Sequence, residues 1–425
     1  MTDAFAALVL GLLLAVASSI AFADACGPLH APLTLRAAES RLEECNRDVQ
    51  AARLAVVAAS ADLLVARERP NPTLELGVSN VNPHVGIGAG SPRDKTIDSA
   101  ARLEQLVERG GKPQLREAQA QALVAASEAD AAEQVRQQRL AMRIAFFDLA
   151  GAQERLTLQR EFRALAEASA DASRRRFESG EIARVESDRF RLDAMRARND
   201  ERQSEIDLTR AKSDLAKLIA AESSAASLEV IPAWPGEAPA ASGERPDVRA
   251  ARRRLEAAER ALELARSLAT RDFTVGLQAD HWPASETNLQ GTGVSYSLSV
   301  TFPLEVNHAY EGEAARASAD LENARAALEK ARASAQSDVR IADEEWRSAA
   351  ERLKREEDEV APAARDVARG AEFAYAHGAT GVLDLLDARR SLKSVELEEV
   401  QLRSDAAKAW ARMEAARDDG AEARR

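Results

Sequence analysis

The feature that most constrains this chain of 425 residues is an internal duplication. The stretch FESGEIARVESDRFRL at 177–192 aligns without a gap with the first 16 residues of YAHGATGVLDLLDARRSL at 375–392, 198 positions later. Four pairs carry the alignment: Phe177 with Tyr375, Gly180 with Gly378, Glu186 with Asp384, and Arg191 with Arg389. Because a repeat is one structural unit used again, we expect two halves with the same order of elements.

The halves are separated by a segment with four prolines and no helical period, which is typical of a connection. We expect the following segments: a signal peptide at 1–23, a first repeat at 24–221, a connecting segment at 222–247, a second repeat at 248–417 and a tail at 418–425.

Composition favours long helices over a globular core. The chain is 45% hydrophobic but only 4% aromatic, and alanine occurs in almost every run. Its net charge is −12, with acidic and basic residues interspersed as on a solvated helix face. Nucleic acid is therefore not an expected partner.

The N-terminus has an apolar run from Ala4 to Ala17, followed by Ala21-Phe22-Ala23, the small-x-small pattern of a signal peptidase site. We expect cleavage after Ala23. An uncleaved anchor is the alternative, because the first residues contain no Lys or Arg. No later segment is expected to approach the ~18 to 20 apolar residues of a spanning helix.

The two cysteines, Cys26 and Cys45, lie just inside the expected mature chain. An oxidising compartment favours a disulfide between them. A lipid on Cys26 and a pair of buried thiols are the alternatives.

Strands are expected at about 73–81, 97–107, 273–281 and 293–303, although the second could pass for a helix. The clearest is VSYSLSVTF, where Tyr296, Leu298 and Val300 alternate with serines. A soluble β-sandwich, the other fold typical of such strands, needs about seven strands, and only four are expected here. Alternating segments of ~10 residues suit a transmembrane barrel, but the smallest has eight strands. Three chains would supply twelve strands and a lumen.

Very long helices set the other dimension. From Pro113 to Arg176 the only glycine or proline within the run is Gly151, and ~65 residues at 1.5 Å each reach roughly 100 Å. The last helix has heptad spacing, which predicts a coiled coil, at Leu392, Val395, Glu399, Leu402, Ala406, Ala409 and Met413. The expected fold is mainly α with a small β part: two tandem repeats, each with a long helical hairpin and a two-strand β-hairpin.

The chain resembles the TolC-like outer-membrane efflux factors over nearly all of the mature sequence, and is most similar to their CzcC-like, heavy-metal branch. Five motifs carry the resemblance: PNPTLELGVSN, LVERGGKPQLREAQAQA, RPDVRAA, FPLEVNHAYEGEAARA and YAHGATGVLDLLDARRSL. It implies a homotrimer with a 12-stranded outer-membrane barrel in lipid and a 12-helix periplasmic tunnel. The partners would be a periplasmic adaptor (membrane fusion) protein and an inner-membrane RND-type transporter.

The resemblance also implies site residues at the inner end of the tunnel. Asp384 and Asp387 align with an acidic ring at the constriction, where carboxylates favour cations. Tyr375 aligns with a tyrosine that bonds an acid on the other hairpin, here Glu186. The family's arginine in this latch falls on Thr380, so that part is expected to be absent. The alternative is two solvated acids on a helix face.

Glycine permits the tight reversal of a long helix, so the two breaks are expected to be hairpin tips. Plain turns are the simplest interpretation. The resemblance adds contact with the adaptor at Arg176, Gly180, Gly378 and Gly381.

No catalytic, metal or cofactor site is expected. The five histidines lie in unrelated contexts without metal-ligand spacing: His30, His84, His281, His308 and His377. We therefore expect an efflux duct for heavy-metal cations rather than an enzyme. The alternatives are a drug efflux or type I secretion duct of the same fold, and a periplasmic coiled-coil protein without a pore.

Overall fold

The computed structural model describes residues 32–79, 97–236, 243–282, 293–304 and 307–418. Its helices are α1 (Leu35–Cys45), α2 (Arg47–Arg67), α3 (Lys112–Glu178), α4 (Arg184–Leu218), α5 (Pro246–Ser267), α6 (Glu311–Arg355), α7 (Ala361–Ala376) and α8 (Val382–Arg417). Its strands are β1 (Thr73–Ser79), β2 (Asp98–Val107), β3 (Phe273–Trp282) and β4 (Gly293–Thr301). The described residues also include a 3₁₀-helix at Glu222–Ser227 and a π-helix at Glu356–Val360. The expectation of a mainly α fold with a small β part is confirmed.

The chain forms two compact units. One contains the described parts of Met1–Leu54, Ala129–Val248 and Arg332–Arg425, and the other contains those of Ala55–Glu128 and Arg249–Ala331. Each unit therefore draws on both halves of the sequence.

The second unit holds one antiparallel sheet in the order β1-β2-β3-β4, so the β-hairpins of the two repeats pair directly. Its register aligns four leucines across the strands: Leu74, Leu103, Leu277 and Leu298. These side chains are 47 to 73% exposed. One face of the sheet is therefore an open apolar surface.

The opposite face is polar, because neighbouring residues of a strand point to opposite sides. One residue along, the register aligns Glu75, Arg102, Gln278 and Ser297. Arg102 also pairs with Glu104 at 2.8 Å. The segment at 97–107, for which a helix was the alternative, forms strand β2 and has the same alternation of apolar and polar residues.

The first unit is built around an aromatic core. Phe146 and Phe147 on α3 are fully buried and meet edge to face with ring centroids 5.8 Å apart. Phe147 also stacks on Trp234 at 5.9 Å. A parallel bridge between Leu33 and Val230 closes this core. The segment between the repeats is thus packed against the first long helix.

Three arginines on one face of α3 attach it to neighbouring helices of this unit. Arg139 binds Glu43 at 2.6 Å and Arg143 binds Glu39 at 2.6 Å, both acids lying on α1. Arg136 donates a 2.6 Å hydrogen bond to the Ala415 carbonyl near the end of α8. Buried charges need such partners, so these contacts fix α1 and α8 on α3.

One sequence-based expectation about helices is wrong, namely that no segment after the N-terminus is long and apolar enough to span a membrane. α2 passes the length and composition test for a membrane span, with a mean hydropathy of 1.6 in its most apolar window. Alanine, valine and leucine give that value although Arg53 and Asp62 lie within the helix. On α8 the predicted heptad positions Ala409 and Met413 are buried and the other five are half-buried in the single chain, so the coiled coil stays a prediction. Further buried residues of α8 are Val400, Ser404, Ala407 and Ala411, and Gly151 lets α3 approach Ser404 closely.

Several expectations concern residues outside those that the structure describes: the signal peptide, Cys26, the strand ends at 80–81 and the tail from 419 onward. Cys45 ends α1 and is 4% exposed. Its pairing with Cys26 stays a prediction.

Candidate functional site at the hairpin tips

The two hairpin tips, residues 179–183 and 377–381, have the same backbone geometry. Gly180 and Gly378 adopt φ of +81° and +72°, a region that favours glycine. The amide of the next residue bonds a carbonyl five positions earlier, from Glu181 to Arg176 and from Ala379 to Ala374, each at 2.8 Å. This is the Schellman arrangement that ends a helix and reverses the chain.

An acid follows each tip in the first turn of the returning helix, but the two acids have different partners. Asp384 accepts a hydrogen bond from the Gly381 amide at 3.3 Å, which caps α8 locally. Glu186, its repeat counterpart on α4, instead accepts one from the Tyr375 hydroxyl at 2.9 Å. The duplicated acid therefore joins the two hairpins at one tip only.

The Tyr375 hydroxyl is held in its neutral, donating form. Burial and the hydrogen bond to Glu186 raise the pKa of Tyr375, while Arg176 acts in the opposite direction. A hydrogen bond to a charged acceptor is worth more than a neutral one, about 1.5 to 3 kcal/mol. The contact is thus strong enough to bias the tip arrangement.

Arg176 adds a contact that sequence reasoning missed. Its guanidinium lies 3.4 Å from the Tyr375 hydroxyl and 6.0 Å from the ring centroid, and it also pairs with Glu181 at 3.2 Å. We expected this latch to lack an arginine, because Thr380 occupies the family's position. An arginine reaches the tyrosine from the first hairpin instead. The one sequence feature that could have indicated this contact is the position of Arg176 next to Phe177, the counterpart of Tyr375.

A small apolar cluster packs the hairpins together beside this contact. Phe190 from α4 is buried with Val382, Leu385 and Leu386 from α8. The Phe190 ring lies 6.2 Å from that of Tyr375. Packing and hydrogen bonding therefore act on the same pair of helices.

The two aspartates of VLDLLD are both exposed in the single chain. Asp387 is 3.5 Å from Arg390, which is also 3.5 Å from Asp193. Asp384 and Asp387 lie one turn apart on the same helix, so both can present charge to the same side. Such carboxylates attract cations without forming a tight site. Within the described ranges, no group of three or more His, Cys, Asp or Glu residues is placed to hold a metal ion.

A family comparison decides the class of protein. The model of the family described as outer membrane efflux protein matches residues 39–221 and 238–417. The chain belongs to the outer membrane efflux protein family. It is therefore an outer-membrane efflux channel that extends into the periplasm, not an enzyme. A comparison with curated protein sequences finds no match.

Solved structures share the fold of this efflux protein. A membrane protein from Pseudomonas aeruginosa is 21% identical with a TM-score of 0.74, over 90% of this chain and 93% of that one. The outer membrane protein VceC from Vibrio cholerae is 17% identical with a TM-score of 0.73, over 90% and 95%. The open-state MtrE outer membrane channel from Neisseria gonorrhoeae is 20% identical with a TM-score of 0.70, over 90% and 88%.

Proposed function

We propose that this outer membrane efflux protein is the exit duct of a tripartite pump that exports heavy-metal cations. Its partners would be a periplasmic adaptor that contacts the hairpin tips and an inner-membrane RND-type transporter. The observation that carries the duct is the four-stranded sheet, whose apolar face is exposed and whose outer strands have edges unpaired among the described residues. The CzcC-like motifs and the two exposed aspartates favour metal cations as the cargo.

A homotrimer follows from the edges of the sheet. β1 and β4 are its outer strands, and an unpaired edge invites another strand. With four antiparallel strands, pairing β4 with β1 of another copy continues the alternation. Two copies would give an eight-stranded barrel, and its own side chains would fill the interior. Three copies give twelve strands and leave a lumen.

The apolar row of leucines would then face lipid. Backbone groups within a bilayer must be satisfied internally, which a closed barrel achieves and an open sheet does not. The polar face, with Glu75, Arg102, Gln278 and Ser297, would line the lumen. This assignment gives each face of the sheet a matching environment.

The hairpin tips would form the periplasmic gate. In a trimer Asp384 and Asp387 would each occur three times around a narrow bore, where rings of carboxylates select cations. Those charges repel one another, so the closed state needs opposing contacts. The bond from Tyr375 to Glu186 and the cluster around Phe190 are such contacts.

Membrane extraction tests the duct. The protein should remain with outer membranes through carbonate treatment and run as an oligomer on gels until heated. Release by carbonate as a monomer would overturn the proposal. For the cargo, a strain lacking the gene should become sensitive to divalent transition metals but not to drugs. Sensitivity to organic compounds alone would assign the duct to drug efflux.

A further inference from the structure

The two repeats do not keep one offset throughout. Residues 143–156, RIAFFDLAGAQERL, align with 340–353, RIADEEWRSAAERL, at an offset of 197 and are identical at seven of 14 positions. At the tips the offset is 198, as for Gly180 and Gly378. The second repeat therefore contains one extra residue between Leu353 and Tyr375.

The structure shows where this residue is accommodated. The π-helix Glu356–Val360 lies within that interval, whereas α3 is one α-helix from Lys112 to Glu178. A π turn holds one more residue than an α turn, so it absorbs an insertion without rotating the flanking segments. This keeps the upstream helix and the tip on the faces that they occupy in the first repeat.

Pro362 marks the same place. It lies in the first turn of α7 and has no amide hydrogen to donate to the backbone four residues earlier. The first repeat has Ala164 at the corresponding position. Only the second hairpin therefore combines an extra residue with a missing helical hydrogen bond.

The side chains of the π-helix make this segment less stable than a regular helix. Glu356 is 8% exposed, and one of its carboxylate oxygens has no hydrogen-bond partner in the described structure. Burial, and then Glu398 and Glu399 on α8, raise the pKa of Glu356. Residues 357–359 continue the acidic run. A segment with such an unsatisfied group opens more readily than a regular helix.

Ion pairs on α7 tolerate a displacement. Arg365 lies 3.1 Å from Glu399 and 3.5 Å from Glu396, which are about one turn apart on α8. Movement of α7 along α8 exchanges one acid for the other. On the π-helix itself, Arg403 of α8 holds Glu357 at 3.2 Å, and it also holds Glu154 of α3 at 3.2 Å. The start of the π-helix is thus attached to α8, whereas Arg365 beyond it can exchange partners.

We propose that Glu356–Pro362 is the joint of the second hairpin, about which α7 and its tip turn while α3 stays straight. The role in opening rests on the proposed gate, because the moving part carries Tyr375. The joint itself rests on the change of offset and on the π-helix. A single inserted residue thereby makes one of two similar hairpins the mobile one.

Deletion of Asp358 tests the joint, because it gives the second repeat the spacing of the first. Asp358 is exposed, so no buried contact is lost. The shortened protein should assemble as well as the native one, but in it Tyr375→Phe with Glu186→Gln should no longer raise single-channel conductance in planar bilayers. The matched control deletes Arg160 from α3, where no π turn compensates, and should reduce the assembled oligomer.

Two results would overturn the joint: failure of the Asp358 deletion to assemble, or assembly with the conductance increase retained. Hydrogen exchange of the native oligomer separates this question from the gate. Residues 354–364 should exchange faster than 157–166 of α3, and equal protection would refute the joint. If Tyr375→Phe with Glu186→Gln has no effect even in the full-length chain, the gate fails and the exchange comparison alone decides.

Discussion

The Tyr375 hydroxyl donates a 2.9 Å hydrogen bond to Glu186, and the two residues are not counterparts in the duplication. The counterpart of Tyr375 is Phe177, which has no hydroxyl, and that of Glu186 is Asp384. A second, symmetric bond is therefore impossible. This polar contact between two similar hairpins has no counterpart in the duplication, so a symmetric bond cannot compensate for its loss.

Removal of this contact should favour opening. Tyr375→Phe with Glu186→Gln removes a hydrogen bond worth about 1.5 to 3 kcal/mol, which shifts the population toward the open tip arrangement. Single-channel conductance in planar bilayers should rise. Phe177→Tyr, which changes the corresponding position of the other hairpin, is the control and should leave conductance near the native value. If the native protein and the double variant have equal conductance, Tyr375 and Glu186 do not restrain opening and belong to a plain turn.

Arg176 should tune the same hydroxyl. Because its guanidinium lowers the pKa of Tyr375 against the larger effects of burial and Glu186, Arg176→Gln should raise that pKa further. The difference in ultraviolet titration between each protein and its Tyr375→Phe form isolates this tyrosine. Arg175→Gln, an exposed neighbour, is the control. An unchanged Tyr375 titration in Arg176→Gln would show that the two groups do not interact in solution.

The faces of the sheet can be tested with adjacent residues of β4. Leu298→Arg should cost about 2 to 4 kcal/mol if the side chain faces lipid near the midplane, and Ser297→Arg much less. The yield of assembled, heat-modifiable oligomer measures the difference. Equal losses would mean that the lipid and lumen faces are wrongly assigned.

The N-terminal chemistry is open to one mass measurement. The mature chain should start at Asp24 and carry a disulfide between Cys26 and Cys45, which would tie the N-terminal segment to α1. Intact mass with and without reductant and alkylation decides. A lipid-sized increment, or two thiols that alkylate without reductant, would contradict the disulfide.

Local patterns predicted much of this fold, and the failures have physical causes. Strand alternation and glycines with positive φ are local features of the sequence, so the sequence alone predicts the strands and the hairpin tips. The contact of Arg176 with Tyr375 depends on how two helix ends meet, which no local pattern contains. On α8 the burial of Ser404 involves a close approach permitted by Gly151, 253 positions earlier in the chain. The π-helix required a comparison of two offsets, because one inserted residue leaves composition and periodicity almost unchanged.

The measurement that tests the central claim most directly is the reversal potential of the purified oligomer in a planar bilayer under a salt gradient. With Asp384 and Asp387 at the proposed constriction, the channel should show cation selectivity, and Asp384→Asn with Asp387→Asn should weaken both this selectivity and block by multivalent cations. Asp366→Asn, an exposed acid on α7 away from the tip, is the matched control and should change neither. Purified oligomer without channel activity, or selectivity untouched by loss of the tip aspartates, would contradict the account.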